Sequence, residues 1–435
     1  MGRNKKSLKD KNVGLQRADK GFAGFWKSLT MEYTEQVNNI NRNIAEYKPA
    51  EILNFYDPSC GVYNSIVSGG IPEMRINAIL AQCMCARDNN FPVIVLHEGN
   101  RNLAYSMAQR FVNDSYTEIS FNSPCFEPFY RLDEVDITEQ MMETSPKNFD
   151  IKINARYYIE GLNQFLKKSK KKMTFKMLST CPHASIFDKI DNLRLQGKIN
   201  DREEQEIKSK LMMGDSEKFK IDTYTTSLKR EISSCLYSAK AGYKPMNILS
   251  AIEDDKILCV DINSVSNKLF LNTLIYQLNL ALKKGLQYTV IIDSISLTAS
   301  EQYADYIKMN TDRICRMLSS DDLYAMTGSN EQIFSSILGN SQISVIMNHT
   351  SAKSAEKWAE FLGQYDKYEK SYNNSSGWSR GVFQLIGTHN TNKGTSISKN
   401  RSFVVQPEAI TRMGATEAYI LTAARGELAH LVLSG

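Results

Sequence analysis

The stretch Phe91–Phe111, F-P-V-I-V-L-H-E-G-N-R-N-L-A-Y-S-M-A-Q-R-F, sets the run Pro92 to Leu96 before a short polar loop and a helix-like segment. Strand, glycine-bearing loop and helix is the order that cradles phosphates. Glycines let backbone N–H groups turn inward, a lysine pairs with the β and γ oxygens, and a hydroxyl holds Mg²⁺. The pattern is G-x-x-x-x-G-K-[ST]. Laid over Leu96–Leu103, it finds Leu96 for the first glycine, Arg101 for the second, Asn102 for the lysine and Leu103 for the hydroxyl residue. Gly99 fits a common extra glycine, while Glu98 adds negative charge where a triphosphate would lie. A bulky residue where φ > 0 is wanted costs about 1–2 kcal/mol. Loss of the lysine and the hydroxyl removes most of the electrostatic clamp.

A second requirement is an apolar strand ending in an acidic pair. Gln287–Asp293, Q-Y-T-V-I-I-D, supplies Asp293 for Mg²⁺, but Ser294 stands where a glutamate would activate water. The plain alternative for Asp293 is a strand-end carboxylate that caps the next turn. The nucleotide-binding candidates are therefore Gly99, Asn100, Arg101, Asn102 and Asp293, all degenerate, and no catalytic residue is assigned. ATP with Mg²⁺ is the only cofactor this set suggests. The histidines, His97, His183, His349, His389 and His430, are scattered and form no hydrolase or zinc pattern. His97, next to Glu98 at the loop, is the most interesting, although a lone loop histidine is more often solvated, and His349 follows an apolar strand at its carboxyl end, where sites cluster. Cys83 and Cys85 are the one close cysteine pair, with no second pair at metal-site spacing, so no metal is expected. The eight cysteines sit in apolar runs and read as reduced thiols. The strongest charge cluster is K-K-S-K-K-K, where Lys167, Lys168, Lys170, Lys171 and Lys172 are candidates for nucleic-acid contact. A solvated helix end, where cations suit the macrodipole, is the plainer reading.

These residues need a scaffold. A basic, polar tail (residues 1–20) and a helix over Thr30–Ala45 come first. Ile71–Asp88 reads as a helix with Pro72 in its first turn, and it leads into the Phe91 strand. A helix over Asn102–Asn113 and a strand over Thr117–Phe121 follow. From about 137 to 230 strand alternation disappears, and helices are expected over Arg156–Lys168, Ser185–Gln196, Asp201–Met212 and Thr226–Tyr237. The strand pattern resumes at Lys256–Asn263 and Gln287–Asp293, separated by an amphipathic helix over Lys268–Lys284. Glu301–Leu318 and Glu331–Leu338 read as helices, Gln342–Met347 as a strand and Ser354–Leu362 as a helix. Residues 364–400 form an exposed polar loop or hairpin, and Glu417–Thr422 and Leu428–Leu433 a closing pair of strands. Alternating strands and helices imply a doubly wound parallel α/β sheet. The expected division is a tail and helix (1–50), a first α/β part (51–136), an all-helical insertion (137–235) and the rest of the α/β domain (236–435).

The chain has 435 residues, 42% of them hydrophobic, enough for a sizeable core, and its 53 basic and 48 acidic residues leave a net charge of only +5. That balance does not identify a nucleic-acid binder. No apolar run of membrane-spanning length and no secretory signal is present, so a cytoplasmic protein is expected.

The order of parts, with the phrases S-A-K-S-A-E-K-W-A-E-F-L-G and R-S-F-V-V-Q-P-E-A-I-T-R-M-G, resembles the conjugative coupling proteins of type IV secretion, the TraG/TraD-like, FtsK-related P-loop ATPases. The resemblance is specific at Asp293, Ser354–Gly363 and Arg401–Tyr419. It implies a RecA-like P-loop fold with a parallel sheet, interrupted by the all-helical insertion. It departs at the phosphate-loop residues, at the glutamate after the strand aspartate and at the family's N-terminal membrane anchor, which is not found. It implies a catalytically degenerate interaction subunit of a DNA-transfer or secretion complex, peripheral to the membrane through its partners. Those partners are other proteins of the complex, DNA, and further copies or an active ATPase in a mixed ring. A working DNA translocase and a nucleotide-independent binding module of a mobile element are the alternatives.

Overall fold

A computed structural model of the chain describes residues 48–51, 63–112, 115–146, 150–180, 183–239, 242–262, 268–309, 313–379, 388–422 and 427–434. The basic tail and the Thr30–Ala45 helix lie outside the described residues. The chain divides into two compact units, residues 50–345 with 421–426 and 434–435, and residues 1–49 with 346–420 and 427–433.

The larger unit holds a seven-stranded run of sheet. Its strands are β1 (Ser65–Ser68), β2 (Val93–His97), β3 (Tyr116–Ile119), β4 (Ile257–Asp261), β5 (Tyr288–Asp293), β6 (Ile314–Ser320) and β7 (Ile343–Ile346), in the order β7-β1-β6-β5-β2-β4-β3. The pairs β1/β6, β6/β5, β5/β2, β2/β4 and β4/β3 are parallel. β2 and β5 are buried at every position, because a parallel sheet is covered on both faces. Each fully buried Val, Leu or Ile there contributes about 1.5–3 kcal/mol.

Helices α1 (Pro72–Asp88) and α2 (Arg101–Arg110) follow β1 and β2. α3 (Glu134–Thr144), α4 (Ala155–Lys168), α5 (Phe175–Thr180), α6 (His183–Leu195), α7 (Asp201–Met213) and α8 (Lys218–Glu231) follow β3, with no strand among the described residues between them. Side chains start these helices: Asp133 caps α3, and Asn200 with Glu203 makes a capping box on α7. α4 approaches α7 closely at Gly161, where an added Cβ would meet Leu211 at 3.0 Å. α9 (Ile248–Glu253) and α10 (Lys268–Lys283) complete the return to the sheet. α11 (Glu301–Lys308), α12 (Leu323–Met326) and α13 (Glu331–Gly339) follow β5 and β6.

Three expectations are corrected. Glu301–Leu318 is not one helix: α11 ends at Lys308, and Ile314–Ser320 is the central strand β6. Its seven buried residues lack the alternation that marks a half-exposed strand. The helix expected over Thr226–Tyr237 ends at Glu231. The sheet also has an earlier strand, β1, which is only four residues long and reads S-I-V-S.

In the other unit, α14 (Ala352–Leu362) is capped by Ser351 and ends at Gly363. A ribbon of β8 (Gln364–Ser379) and β9 (Thr388–Phe403) follows, then α15 (Pro407–Thr411) and the neighbours β10 (Glu417–Thr422) and β11 (Glu427–Ser434). The polar segment expected as a loop or hairpin is thus a paired ribbon. Among the described residues, no helix is long and apolar enough to cross a membrane.

Candidate functional site

Parallel strands bring their carboxyl ends to one edge, where open α/β sheets bind ligands. Across this edge the register sets Ser68 of β1 beside Ser320 of β6, Ser319 beside Asp293 of β5, Asp293 beside His97 of β2, and His97 beside Asp261 of β4. Two strand–loop–helix turns open onto it.

The β2–α2 turn is the one singled out by its sequence. Gly99 takes the left-handed conformation, φ 64°. Its N–H donates to Asp261 Oδ1 at 3.0 Å, and the Asn100 N–H donates to His97 Nδ1 at 3.1 Å. Asn100 caps α2, its Oδ1 accepting from the Leu103 N–H at 3.1 Å. Its Nδ2 donates to Asp293 Oδ2 at 2.8 Å. Asp293 is 2% exposed and also accepts from Ser319 Oγ at 2.8 Å. Three N–H groups that would face a phosphate are therefore taken by side chains of the protein itself. Gly99, Asn100 and Asp293 come together as the sequence suggests, but they bond one another. Arg101 and Asn102 lie exposed on the first turn of α2.

His97 is the residue the sequence undervalued. It is 1% exposed and its Nδ1 accepts a hydrogen bond, so its proton sits on Nε2, which is buried without a hydrogen-bond partner. Burial holds its pKa below the ordinary imidazole value, while Asp261 and Asp293 pull the other way. The nearest carboxylate oxygen of Asp261 is 3.9 Å from Nδ1.

The β1–α1 turn went unread because β1 is so short. It is the first βα turn of the described sheet, the place where a glycine-rich phosphate turn belongs. Gly69 and Gly70 have φ of 86° and 71°. The Gly69 N–H donates to the Ser320 carbonyl at 3.0 Å, and Ser68 Oγ accepts from the Leu323 N–H at 3.1 Å. Arg75 donates to the carbonyls of Gly69 and Gly70 at 3.3 and 2.8 Å. α1 then starts at Ile71 without a side-chain cap, with Pro72 lacking an N–H and Glu73 placing an acid in the first turn. Neither turn carries the lysine or the hydroxyl that a nucleotide and Mg²⁺ require, so the residues present do not fit that cofactor.

Of the lysine cluster, Lys167 pairs with Glu134 and Lys168 with Glu203, both at the end of α4, while Lys170, Lys171 and Lys172 are exposed. His349 is buried, its Nδ1 at 2.8 Å from the Met347 carbonyl, beside Trp358. His430 stacks on Tyr419 with ring centroids 4.2 Å apart. No group of three or more metal-ligating side chains occurs among the described residues.

The C-terminal phrases also meet in space. Asn348 Nδ2 donates to the carbonyls of Thr411 and Met413 at 2.9 and 2.8 Å, and the Val404 N–H donates to the Gly363 carbonyl at 2.9 Å. Residues 322–415 match the family described as "TraM recognition site of TraD and TraG". That segment of the chain is similar to this family. The match includes Ser354–Gly363 and most of Arg401–Tyr419, where the sequence resemblance is specific. No curated protein matches the chain. Among solved structures, the bacterial conjugative coupling protein TrwBdeltaN70 in its unbound monoclinic form is similar at 11% identity and TM-score 0.48, with 91% of each chain covered. The plasmid coupling protein TrwB in complex with the ATP analogue ADPNP is similar at 12% identity and TM-score 0.49, covering 91% of this chain and 92% of that one. VirB4 of Thermoanaerobacter pseudethanolicus is similar at 9% identity and TM-score 0.40, covering 89% and 93%.

Proposed function

We propose that this coupling-protein-like chain serves a DNA-transfer complex as an interaction subunit that does not turn over ATP. The observation that carries this reading is the filled sheet edge. Asp261, His97 and Asn100 take the N–H groups of one turn, and Asn100 and Ser319 occupy the carboxylate that would hold Mg²⁺. At the other turn Glu73 opposes a bound anion and Pro72 removes a donor. A charged ligand would have to displace bonds already made, each worth about 1.5–3 kcal/mol where a charge takes part.

The scaffold then works through its surfaces. The family matched by residues 322–415 is described as a recognition site of TraD and TraG, which supports assigning this segment to protein contacts within the complex, an active ATPase in a mixed ring among them. Isothermal titration of the purified chain with ATP and Mg²⁺ is expected to give no binding heat, and a phosphate-release assay no turnover. Micromolar, Mg²⁺-dependent binding that Asp293→Ala abolishes would overturn the reading in favour of a divergent working ATPase.

A further inference from the structure

Arg316 is near the start of β6, paired with Val290 of β5, at the amino end of the sheet and away from the His97–Asp293 edge. Its side chain is drawn into the protein, and the residue is 9% exposed. A guanidinium carries five N–H groups. Here Nη1 donates to the Ile307 carbonyl at 2.5 Å and Nη2 to the Met309 carbonyl at 2.9 Å, both at the end of α11. The group lies 5.3 Å from the centre of the Tyr306 ring. Nε is buried and has no hydrogen-bond partner among the described residues.

What this cation lacks is a counter-charge. Among the described residues no carboxylate is ion-paired with Arg316, and Asp305 of α11 is taken by Lys308 at 3.0 Å. Tyr288, Tyr303, Tyr306 and Cys315 feel the charge of Arg316, but burial raises the pKa of each, that of Tyr306 to about 12, so none is ionised at neutral pH. Arginine is almost never buried without a partner, because a charge taken out of water is costly until an opposite charge meets it.

Arg316 borders a cavity of about 20 Å³ whose walls come from β1, β6, α11 and α13. Ile66, Leu318 and Ile337 form its apolar side, and no acid lines it. Asn64 and Asn340, both half-buried, also border it. The Arg316 backbone N–H donates to Asn64 Oδ1 at 2.8 Å, which leaves the Asn64 Nδ2 group to donate elsewhere. We propose that this cavity is a binding site for one monatomic anion, chloride in the cell, held by Arg316 as its counter-ion. A space of this size takes one water or one such ion and is too small for a phosphate or a sulfate. A water would give Nε an acceptor but leave the charge unmet. The ion ties the end of α11 to β6, β1 and α13, so it stabilises the folded chain and takes no part in the network at the other edge of the sheet.

Urea unfolding of the full chain in sodium chloride, with ionic strength held constant by sodium gluconate, tests this, since gluconate is too large to enter. Raising chloride from about 10 to about 300 mM should lower the unfolding constant about tenfold, with log K against log chloride approaching a slope of about −1, as for one ion per chain. Arg316→Met, which keeps the bulk without the charge, should flatten that dependence. Bromide should replace chloride and give an anomalous-scattering peak in the cavity of bromide-soaked crystals. That second measurement uses the parent chain, so it decides the matter even if Arg316→Met does not fold. No response to chloride at constant ionic strength, the same response in Arg316→Met, or a water in the cavity of bromide-soaked crystals with no anomalous peak would overturn the site.

Discussion

The β1–α1 and β2–α2 turns have the same order of parts and reach the same end by different means. At β1–α1 the conformation is right for close backbone approach: Gly69 and Gly70 are both left-handed. The chemistry is absent there, because the helix begins with Ile71, Pro72 and Glu73. At β2–α2 one glycine is left-handed and polar side chains abound, but they satisfy one another through Asp261, His97, Asn100 and Asp293. A phosphate cradle needs inward N–H groups that nothing else has claimed. At one turn the cation, Arg75, is bonded to the turn's own carbonyls, and at the other side chains take the N–H groups.

Variants separate these two modes of closure. The largest effect is expected at Asp293, whose removal strands the Ser319 hydroxyl and the Asn100 amide in a buried setting. Asp293→Ala should lower unfolding free energy by about 3 kcal/mol in urea titration. Asn100→Ala loses both the helix cap and the bond to Asp293 and should cost about 2 kcal/mol. Asn100→Asp should cost more, because it sets a second carboxylate against Asp293. An Asn100→Ala chain as stable as the parent would mean the β2–α2 network does not hold the turn closed. At the other turn, Gly69→Ala should cost about 1–2 kcal/mol from backbone strain alone, with no change in the pH dependence of stability.

At β2–α2, His97 is a source of such pH dependence. His97 has a folded pKa below its unfolded value of about 6.5. As pH falls through 6.5, the unfolded chain takes up a proton that the folded chain refuses, so stability drops toward the folded pKa. The slope is at most about 1.4 kcal/mol per pH unit. Glu127 acts in the opposite sense. Burial raises its pKa to about 7 against hydrogen bonds from the Phe175 and Phe129 N–H groups, so its contribution is lost as pH rises from about 4.5 to 7. The His97 share is read as the difference between the parent and His97→Asn, which keeps an acceptor for Asn100. Identical slopes would remove His97 from the account. The smallest effect is expected at exposed Arg101: Arg101→Ala should stay within about 0.5 kcal/mol of the parent.

Much of this site was legible as residue types and little as partners. The β2 and β5 strands are uniform apolar runs bounded by polar residues, so their ends, and with them Gly99, Asn100 and Asp293, could be located. What failed was the sheet around them. β1 offers only Ile66 and Val67 between serines, too short for any periodic signal. In β6 the sequence I-C-R-M-L-S-S repeats Ile314, Met317 and Leu318 at helical spacing, although every position is buried in a strand. With β1 and β6 unseen, β2 passed for the first strand and its loop for the first βα turn. The partner of the Gly99 N–H could not be foreseen either, because Asp261 comes 162 residues later and reaches it only through the pairing of β2 with β4. The C-terminal phrases were readable because α14 opens on its Ser351 cap, α15 opens on Pro407, and both are short and rich in specific residues.

Amide hydrogen exchange read at Gly69, Gly99 and Asn100, with and without ATP and Mg²⁺, tests the closed edge most directly. Closed turns give the same protection in both conditions at all three amides. New protection on adding ATP and Mg²⁺ at Gly69–Met74 or at Gly99–Leu103 would show an N–H cradle that still takes phosphate, and would contradict the account.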